Sequence, residues 1–215
     1  MRIALFGAGG IIGRRILDEA LRRGHQVTAV VRDPTRFSVP ADRVAVVQGD
    51  VVDAASVAAA VRGHDAVISA VGPARTADAL PGMLVDAARA LIDGLLRAHV
   101  RRLAIVGGAG SLEVAPGLQL MDTPDFPPAW RPVAVAARDA LAVYRAAPPG
   151  LDWTYVSPAA VIEPGKRTGT YRTGRDQLLT DRLGKSRISA EDFAVALLDE
   201  VERPAHVRQR ITVAY

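Results

Sequence analysis

Residues 3–13 read Ile-Ala-Leu-Phe-Gly-Ala-Gly-Gly-Ile-Ile-Gly, an apolar strand pattern that runs straight into Gly7, Gly9, Gly10 and Gly13 and then into the helix-compatible stretch 14–21. Strand, tight glycine turn and helix start in this order form a cradle for an anion. The glycines allow close backbone approach, and the first-turn N–H groups, those of Ile11 and Ile12 among them, have no partner within the helix. The anion such a turn most often receives is a dinucleotide pyrophosphate, and the position after the first strand is the context that gives the motif its meaning.

The rest of the chain carries the same alternation. Strand patterns fit 2–6, 26–31, 44–48, 65–70, 101–106 and 152–156, with a late one near 210–213; helix patterns fit 11–23, 53–61, 77–98, 133–146 and 190–202. Alternation of this kind predicts parallel β-α-β units in a single Rossmann-like α/β domain spanning 1–215, a doubly wound, mostly parallel sheet with helices on both faces. A length of 215 residues suits one such domain. The stretch 113–132, with five prolines, is too irregular for a regular element and follows the fifth strand, so it reads as a substrate lid or a plain surface loop.

The strand ends specify candidate ligand contacts. The second strand ends Val30-Val31-Arg32-Asp33-Pro34. An arginine there suits the 2′-phosphate of NADP(H), and a carboxylate suits the ribose of NAD(H). Arg32 favours NADP(H), with Arg36 one turn on if Pro34 opens a short helix; a shift of one residue would present Asp33 and leave NAD(H) possible. After the third strand, Asp50 is placed to accept from an adenine amino group with Val51 against the ring, while Asp53 reads as a helix cap. After the fourth, Ala70, Val71 and Gly72 are placed to run beside a ribose, with Gly72-Pro73 as a turn. After the fifth, Val106-Gly107-Gly108-Ala109-Gly110-Ser111 combines room for a flat ring, at Gly108 above all, with one hydroxyl. Ser111 is the candidate catalytic residue, orienting acceptor or nicotinamide; alternatively it makes a local turn.

Other classes are excluded by composition. Absence of cysteine rules out disulfides and thiolate chemistry, and His25, His64, His99 and His206 lie too far apart for a ligand motif, so no metal site is expected. The net charge of +4 comes from 27 basic residues, all but Lys166 and Lys185 arginine, dispersed among 23 acids. That pattern is a solvated surface, so no nucleic-acid partner is expected. No apolar run reaches the ~18 residues of a membrane span, and no signal-peptide pattern precedes the first strand, so a cytoplasmic protein without membrane association is expected.

Taken together, the glycine turn, Arg32-Asp33-Pro34, Gln48-Gly49-Asp50-Val51, Val106–Ser111, Leu151–Pro158, Gly169-Thr170-Tyr171-Arg172 and Ile188–Ala194 resemble the NAD(P)-binding, NmrA-like branch of the atypical short-chain dehydrogenases/reductases. The likeness is strongest to the small NADH-flavin reductase-like proteins and the biliverdin reductase B/flavin reductase group, and it covers essentially the whole chain. It implies a nicotinamide cofactor, while the branch itself includes reductases, isomerases and redox-sensing regulators. The helical Tyr-x-x-x-Lys pair of ordinary short-chain dehydrogenases is absent, since Ile162 and Asp181 stand four residues before the two lysines. Hydride transfer to a flavin, quinone or similar planar acceptor fits this absence, because solvent can supply the proton. On that reading Ser157-Pro158 line the nicotinamide end, and Tyr171 or Arg172 closes over the substrate unless Thr170-Tyr171 belongs to an edge strand. A non-catalytic NADP(H)-sensing regulator and a redox-neutral epimerase or isomerase are the alternatives. Oligomeric state is not encoded in any of these features.

Overall fold

The computed structural model describes residues 1–39, 43–72 and 82–215. In chain order the elements are β1 (Arg2–Phe6), α1 (Ile11–Arg22), β2 (Gln26–Val31), β3 (Val44–Gln48), α2 (Ala54–Val61), β4 (Ala66–Ser69), α3 (Met83–Ala98) and β5 (Arg102–Val106). They continue with β6 (Glu113–Ala115), β7 (Leu118–Gln119), α4 (Arg131–Arg145), β8 (Asp152–Pro158), β9 (Val161–Glu163), β10 (Arg172–Gly174), β11 (Arg187–Ser189), α5 (Ala190–Glu202) and β12 (Gln209–Ala214). Eight strands form one sheet in the order β10-β12-β8-β5-β4-β1-β2-β3, parallel throughout except for β10. This is a doubly wound sheet whose winding reverses between β1 and β4, and ligands of such sheets bind beyond the carboxyl ends of the strands at that reversal.

Burial on both faces explains why the central strands are apolar without alternation. Ile3, Leu5, Ala29 and Val156 pack under α1 and α5, through Ile16, Leu17, Phe193 and Leu197. On the other face Ala4, Phe6, Val67, Leu103 and Tyr155 pack under α2, α3 and α4, through Val57, Leu91 and Leu141. Asp53 caps α2 by accepting from the Ala55 and Ser56 amides, and Ser189 caps α5 by accepting from the Asp192 amide. A left-handed His99 ends α3.

The main elements lie where the sequence patterns place them. For the helix expected over 77–98, positions 77–81 fall outside the described residues, as does Pro73, and the helix is seen from Met83. The 113–132 stretch is more regular than expected: β6 and β7 pair about a left-handed Gly117, and 3-10 turns follow at Leu120–Asp122 and Pro128–Trp130. Elements of two or three residues leave no periodicity to read. The edge strand suspected at Thr170-Tyr171 begins one residue later, at Arg172.

Candidate functional site

Gly7 ends β1 in a left-handed conformation (φ 80°), and a Cβ there would stand 2.4 Å from the Ala70 carbonyl oxygen. The turn therefore lies against the end of β4, at the reversal of the sheet. A Cβ on Gly13 would stand 2.0 Å from the Gly7 carbonyl oxygen, so the helix start is pressed onto the turn at both glycines. The Gly10 amide donates to the Gly7 carbonyl at 3.1 Å, and Gly10, as N-cap of α1, offers no side chain to the first-turn amides. Gly9, Gly10 and Ile11 are exposed. Uncapped amides at the end of a helix dipole, with no side chain in front of them, are a seat for a phosphate.

The loop after β2 folds back over this turn. Phe37 lies 3.7 Å from where a Gly9 Cβ would be, and the Arg14 guanidinium sits 5.5 Å from the Phe37 ring centre while donating to the Ser38 carbonyl. Asp33 caps the 3-10 turn Pro34–Arg36: its carboxylate accepts from the Thr35 amide at 3.0 Å and the Thr35 hydroxyl at 2.6 Å. Those bonds hold the Asp33 carboxyl below the usual carboxylate range. Arg32 is exposed, and its carbonyl accepts from the Gln48 side chain. Of the two cofactor-choice candidates, the carboxylate is engaged in local structure.

Asp50 is exposed after β3; one carboxylate oxygen accepts from the Val52 amide at 3.1 Å, and its own amide donates to Ser56. Val51 borders the core on the α2 side. Ala70 donates its amide to the Phe6 carbonyl, and Val71 and Gly72 continue beyond β4, with no described residue within 4 Å of where a Gly72 Cβ would be. The glycine turn, Asp50-Val51 and Ala70–Gly72 thus occupy the carboxyl ends of β1, β3 and β4, and Arg32 at the end of β2 completes the rim between β1 and β3.

The run after β5 reads differently in three dimensions. A Cβ on Gly107 would meet the Tyr155 ring at 2.1 Å, one on Gly110 the Ala134 Cβ at 2.5 Å, and one on Gly108 the Ala137 Cβ at 3.0 Å. The room that the small residues leave is used by the protein's own Tyr155 and α4. Tyr155 is buried, its phenol donates to the Ala137 carbonyl at 2.9 Å, and burial pushes its pKa up to about 12. Ser111 is turned toward β12: the hydroxyl accepts from the buried Arg210 at 2.9 Å, and Arg210 pairs with Asp176. β8 lies between β5 and β12, so this hydroxyl points away from β1 and β4. Ser157 and Pro158, at the carboxyl end of β8, are buried, and Ser157 Oγ has no hydrogen-bond partner.

Tyr171 and Arg172 are not brought to the glycine turn. β10 is the sheet edge, with four strands between it and β1, about 24 Å at the usual strand spacing. The Tyr171 phenol donates to Asp199 on α5, and the Arg172 guanidinium donates to the Thr180 and Tyr215 carbonyls. The segment 165–171 is a strap laid over α1 and α5. Arg167 forks onto Glu19 at 2.7 and 2.8 Å, and Asp192 accepts from the Thr168 and Gly169 amides, the Thr168 hydroxyl and the Tyr215 phenol. No local signal marked this strap, because each contact joins residues more than twenty positions apart.

Clefts of about 480 Å³, beside Ser111, Arg145 and Arg210, and about 420 Å³, at the amino ends of β1–β3, lie off the rim. No cluster of three or more His, Asp or Glu side chains arranged for a metal is present among the described residues, nor is any helix long and apolar enough to cross a membrane. The rim does fit a nicotinamide dinucleotide. A tight glycine turn that puts no side chain in front of uncapped first-turn helix amides is what the pyrophosphate of such a ligand requires.

Comparison with known proteins agrees with this geometry. The chain is 42% identical over 216 residues to the uncharacterized protein YwnB of Bacillus subtilis, covering 99% of this chain and 98% of that one. Among solved structures, a candidate epimerase from Bacteroides thetaiotaomicron superposes with TM-score 0.89 at 41% identity, over 100% of this chain and 96% of that one. A candidate NADH-flavin reductase from Streptococcus pneumoniae superposes with TM-score 0.86 at 35% identity, over 100% and 99%. A family model described as NAD(P)H-binding matches residues 7–204, from the first glycine of the turn to the end of α5 and just beyond. The chain belongs to the NAD(P)H-binding family.

Proposed function

We propose that this chain is an NADPH-preferring oxidoreductase that passes hydride to a planar acceptor of the flavin or quinone type, acting in the cytoplasm. The observation that carries the reading is the uncapped glycine cradle at the β1/β4 reversal. The Gly9, Ile11 and Ile12 amides hold the pyrophosphate, Asp50 and Val51 the adenine, and Ala70–Gly72 the ribose. Arg32 takes the 2′-phosphate; the capping role of Asp33 supports this, since a carboxylate bound to Thr35 is a poorer ribose acceptor. Gly108, Ser157 and Pro158 border the nicotinamide end, where the bound cofactor supplies hydride from its ring.

The tyrosines support an acceptor that needs no protein acid. Tyr144 and Tyr155 are raised by burial, Tyr171 by burial and by its bond to Asp199, and Tyr215 is bonded to Asp192. None is paired with a lysine that would lower it. A planar acceptor takes two electrons and a proton as hydride while solvent supplies the second proton, so the residues' work is orientation and exclusion of water. Ser111, committed to Arg210, is turned away from the rim toward β12, and the 113–132 segment borders the acceptor end. The name of the Bacteroides relative keeps a redox-neutral epimerase as a second reading.

The deciding experiment follows loss of NADPH absorbance with FMN, riboflavin, quinones and simple carbonyls in turn. Oxidation with the flavins or quinones but not the carbonyls supports the proposal. Tight NADPH binding with no oxidation by any acceptor removes it in favour of sensing or epimerisation.

A further inference from the structure

Eight large apolar side chains stand in solvent among the described residues. Met1 begins the chain, Val114 and Leu118 belong to β6 and β7, and Leu183 lies between β10 and β11; Ile11, Val52 and Val161 follow the carboxyl ends of β1, β3 and β8, while Trp130 immediately precedes α4. Trp130 is 62% exposed, a costly placement for the largest side chain in the repertoire. Its address is set by α4. Ala137 packs beside Gly108 and Ala134 beside Gly110, so one more turn of the helix, about 6 Å along its axis, carries the chain past Gly110 to Trp130. The backbone there is held firmly. The Met121 amide donates to the Gly110 carbonyl, Met121 is buried, and Arg131 donates to the Met121 carbonyl and pairs with Asp122. The indole thus stands exposed on a tethered turn, past the segment that follows β5.

We infer that Trp130 is the aromatic platform on which the acceptor's ring stacks, and therefore a specificity residue for planar acceptors. This rests on the proposed oxidoreductase reading and adds to it the side chain that selects the acceptor. An indole offers a broad π-face with little entropy to lose, and offset stacking against a fused ring system exploits both. The other tryptophan, Trp153, is 2% exposed and packs beside Tyr144 with ring centres 6.3 Å apart, so only Trp130 presents a face to solvent.

That contrast also makes the test direct. Riboflavin is titrated into NADP⁺-loaded protein while tryptophan emission and its accessibility to iodide are followed; NADPH turnover with riboflavin is measured in parallel. The parent should lose the iodide-accessible component as riboflavin binds. Trp130→Ala should raise the riboflavin KM about threefold to tenfold with unchanged NADPH affinity and melting temperature, and Trp130→Phe should recover most of the loss. Turnover with an unchanged riboflavin KM in Trp130→Ala overturns the platform while leaving the oxidoreductase reading intact. Tight NADPH binding with neither shielding nor turnover for any flavin or quinone overturns both.

Discussion

Three glycines separate the two things a glycine can be for, and each separates them by a number. Gly94, within α3, would place a Cβ 2.6 Å from Val57 Cγ1 and 2.9 Å from the Ala54 carbonyl; Gly13 would place one 2.0 Å from the Gly7 carbonyl; Gly72 would meet none of the described residues within 4 Å. Gly94→Ala is therefore overpacked, costing about 1–3 kcal/mol, of which better helix propensity returns up to about 1 kcal/mol. Melting temperature should fall by a few degrees, at about 2–4 °C per kcal/mol for a chain of this size, with NADPH affinity unchanged. Gly13→Ala overlaps a backbone atom, and restoring ordinary contact requires α1 and the turn to part by more than about 1 Å. It should lower the melting temperature and misalign at least one amide-to-phosphate bond worth about 1.5–3 kcal/mol, weakening NADPH about tenfold to a hundredfold. Gly72→Ala should leave the melting temperature alone and weaken NADPH, because the space its methyl fills is the ligand's. Calorimetric titration and thermal melts on all three variants give the pattern directly. If Gly13→Ala melts early yet binds NADPH like the parent, the cradle is only a packing device and the reasoning fails.

The remaining expectations concern charge and protons. Arg32→Ala should erase most of a tenfold to hundredfold preference for NADPH over NADH, about 1.5–3 kcal/mol of charge-assisted bonding, while Asp33→Asn should keep that preference; NADH binding as tightly as NADPH in the parent would move the assignment to Asp33. Tyr144→Phe, Tyr155→Phe and Tyr171→Phe should each keep flavin reduction within a few fold, against the ~10²–10⁴ lost with a true general acid. Ser111→Ala should likewise cost stability, about 1–3 kcal/mol for the buried Arg210 donor left unpaired, with flavin reduction kept within a few fold; a collapse of turnover at full NADPH affinity would restore the serine to the chemistry. Glu19 is held at about 2 against an ordinary 4.5, first by the Arg167 bonds, with burial opposing and Arg23 assisting. A depressed carboxyl stabilises above its unfolded value, so at most about 3 kcal/mol should be lost as pH falls from about 4.5 to 2, and melting temperatures of Glu19→Gln should be flatter across that window than the parent's.

The central strands and long helices were legible because burial on two faces leaves continuous apolar runs, as in Ala66–Ser69, and because caps such as Asp53 and Ser189 sit where local chemistry demands them. The glycine turn was legible for the same reason: Gly7 and Gly13 answer to backbone geometry a few residues away. Ser111 was not. Its partner Arg210 lies 99 positions on, so nothing near Ser111 records which way its hydroxyl turns. Separation in sequence, 148 and 28 positions, likewise hid Glu19 beneath Arg167 and Tyr171 against Asp199. Gly107 and Gly110 mislead in an instructive way, since glycine signals close approach without saying what approaches, and here it is Tyr155 and Ala134.

Where the molecule satisfies its polar groups also argues for where the ligand goes. Away from the rim, charges are largely answered internally, the buried Arg102 Nε and Trp153 Nε1 being the exceptions: Arg102 otherwise donates to Thr154 and to the Glu200 carbonyl while Glu200 holds His206, Arg23 meets Glu19, Asp199 and Glu202, and Asp192 accepts four bonds beneath the strap. Buried carboxylates and guanidinium groups left unpaired would cost more than the fold can spare, so this closure is required. At the carboxyl rim the pattern reverses. The α1 amides have no cap, Ser157 has no partner, and apolar Ile11, Val52 and Trp130 stand in solvent. A domain that pairs most of its charges at the far edge and the strap leaves open, along the carboxyl ends of the strands, the helix amides and apolar faces that a dinucleotide would satisfy together.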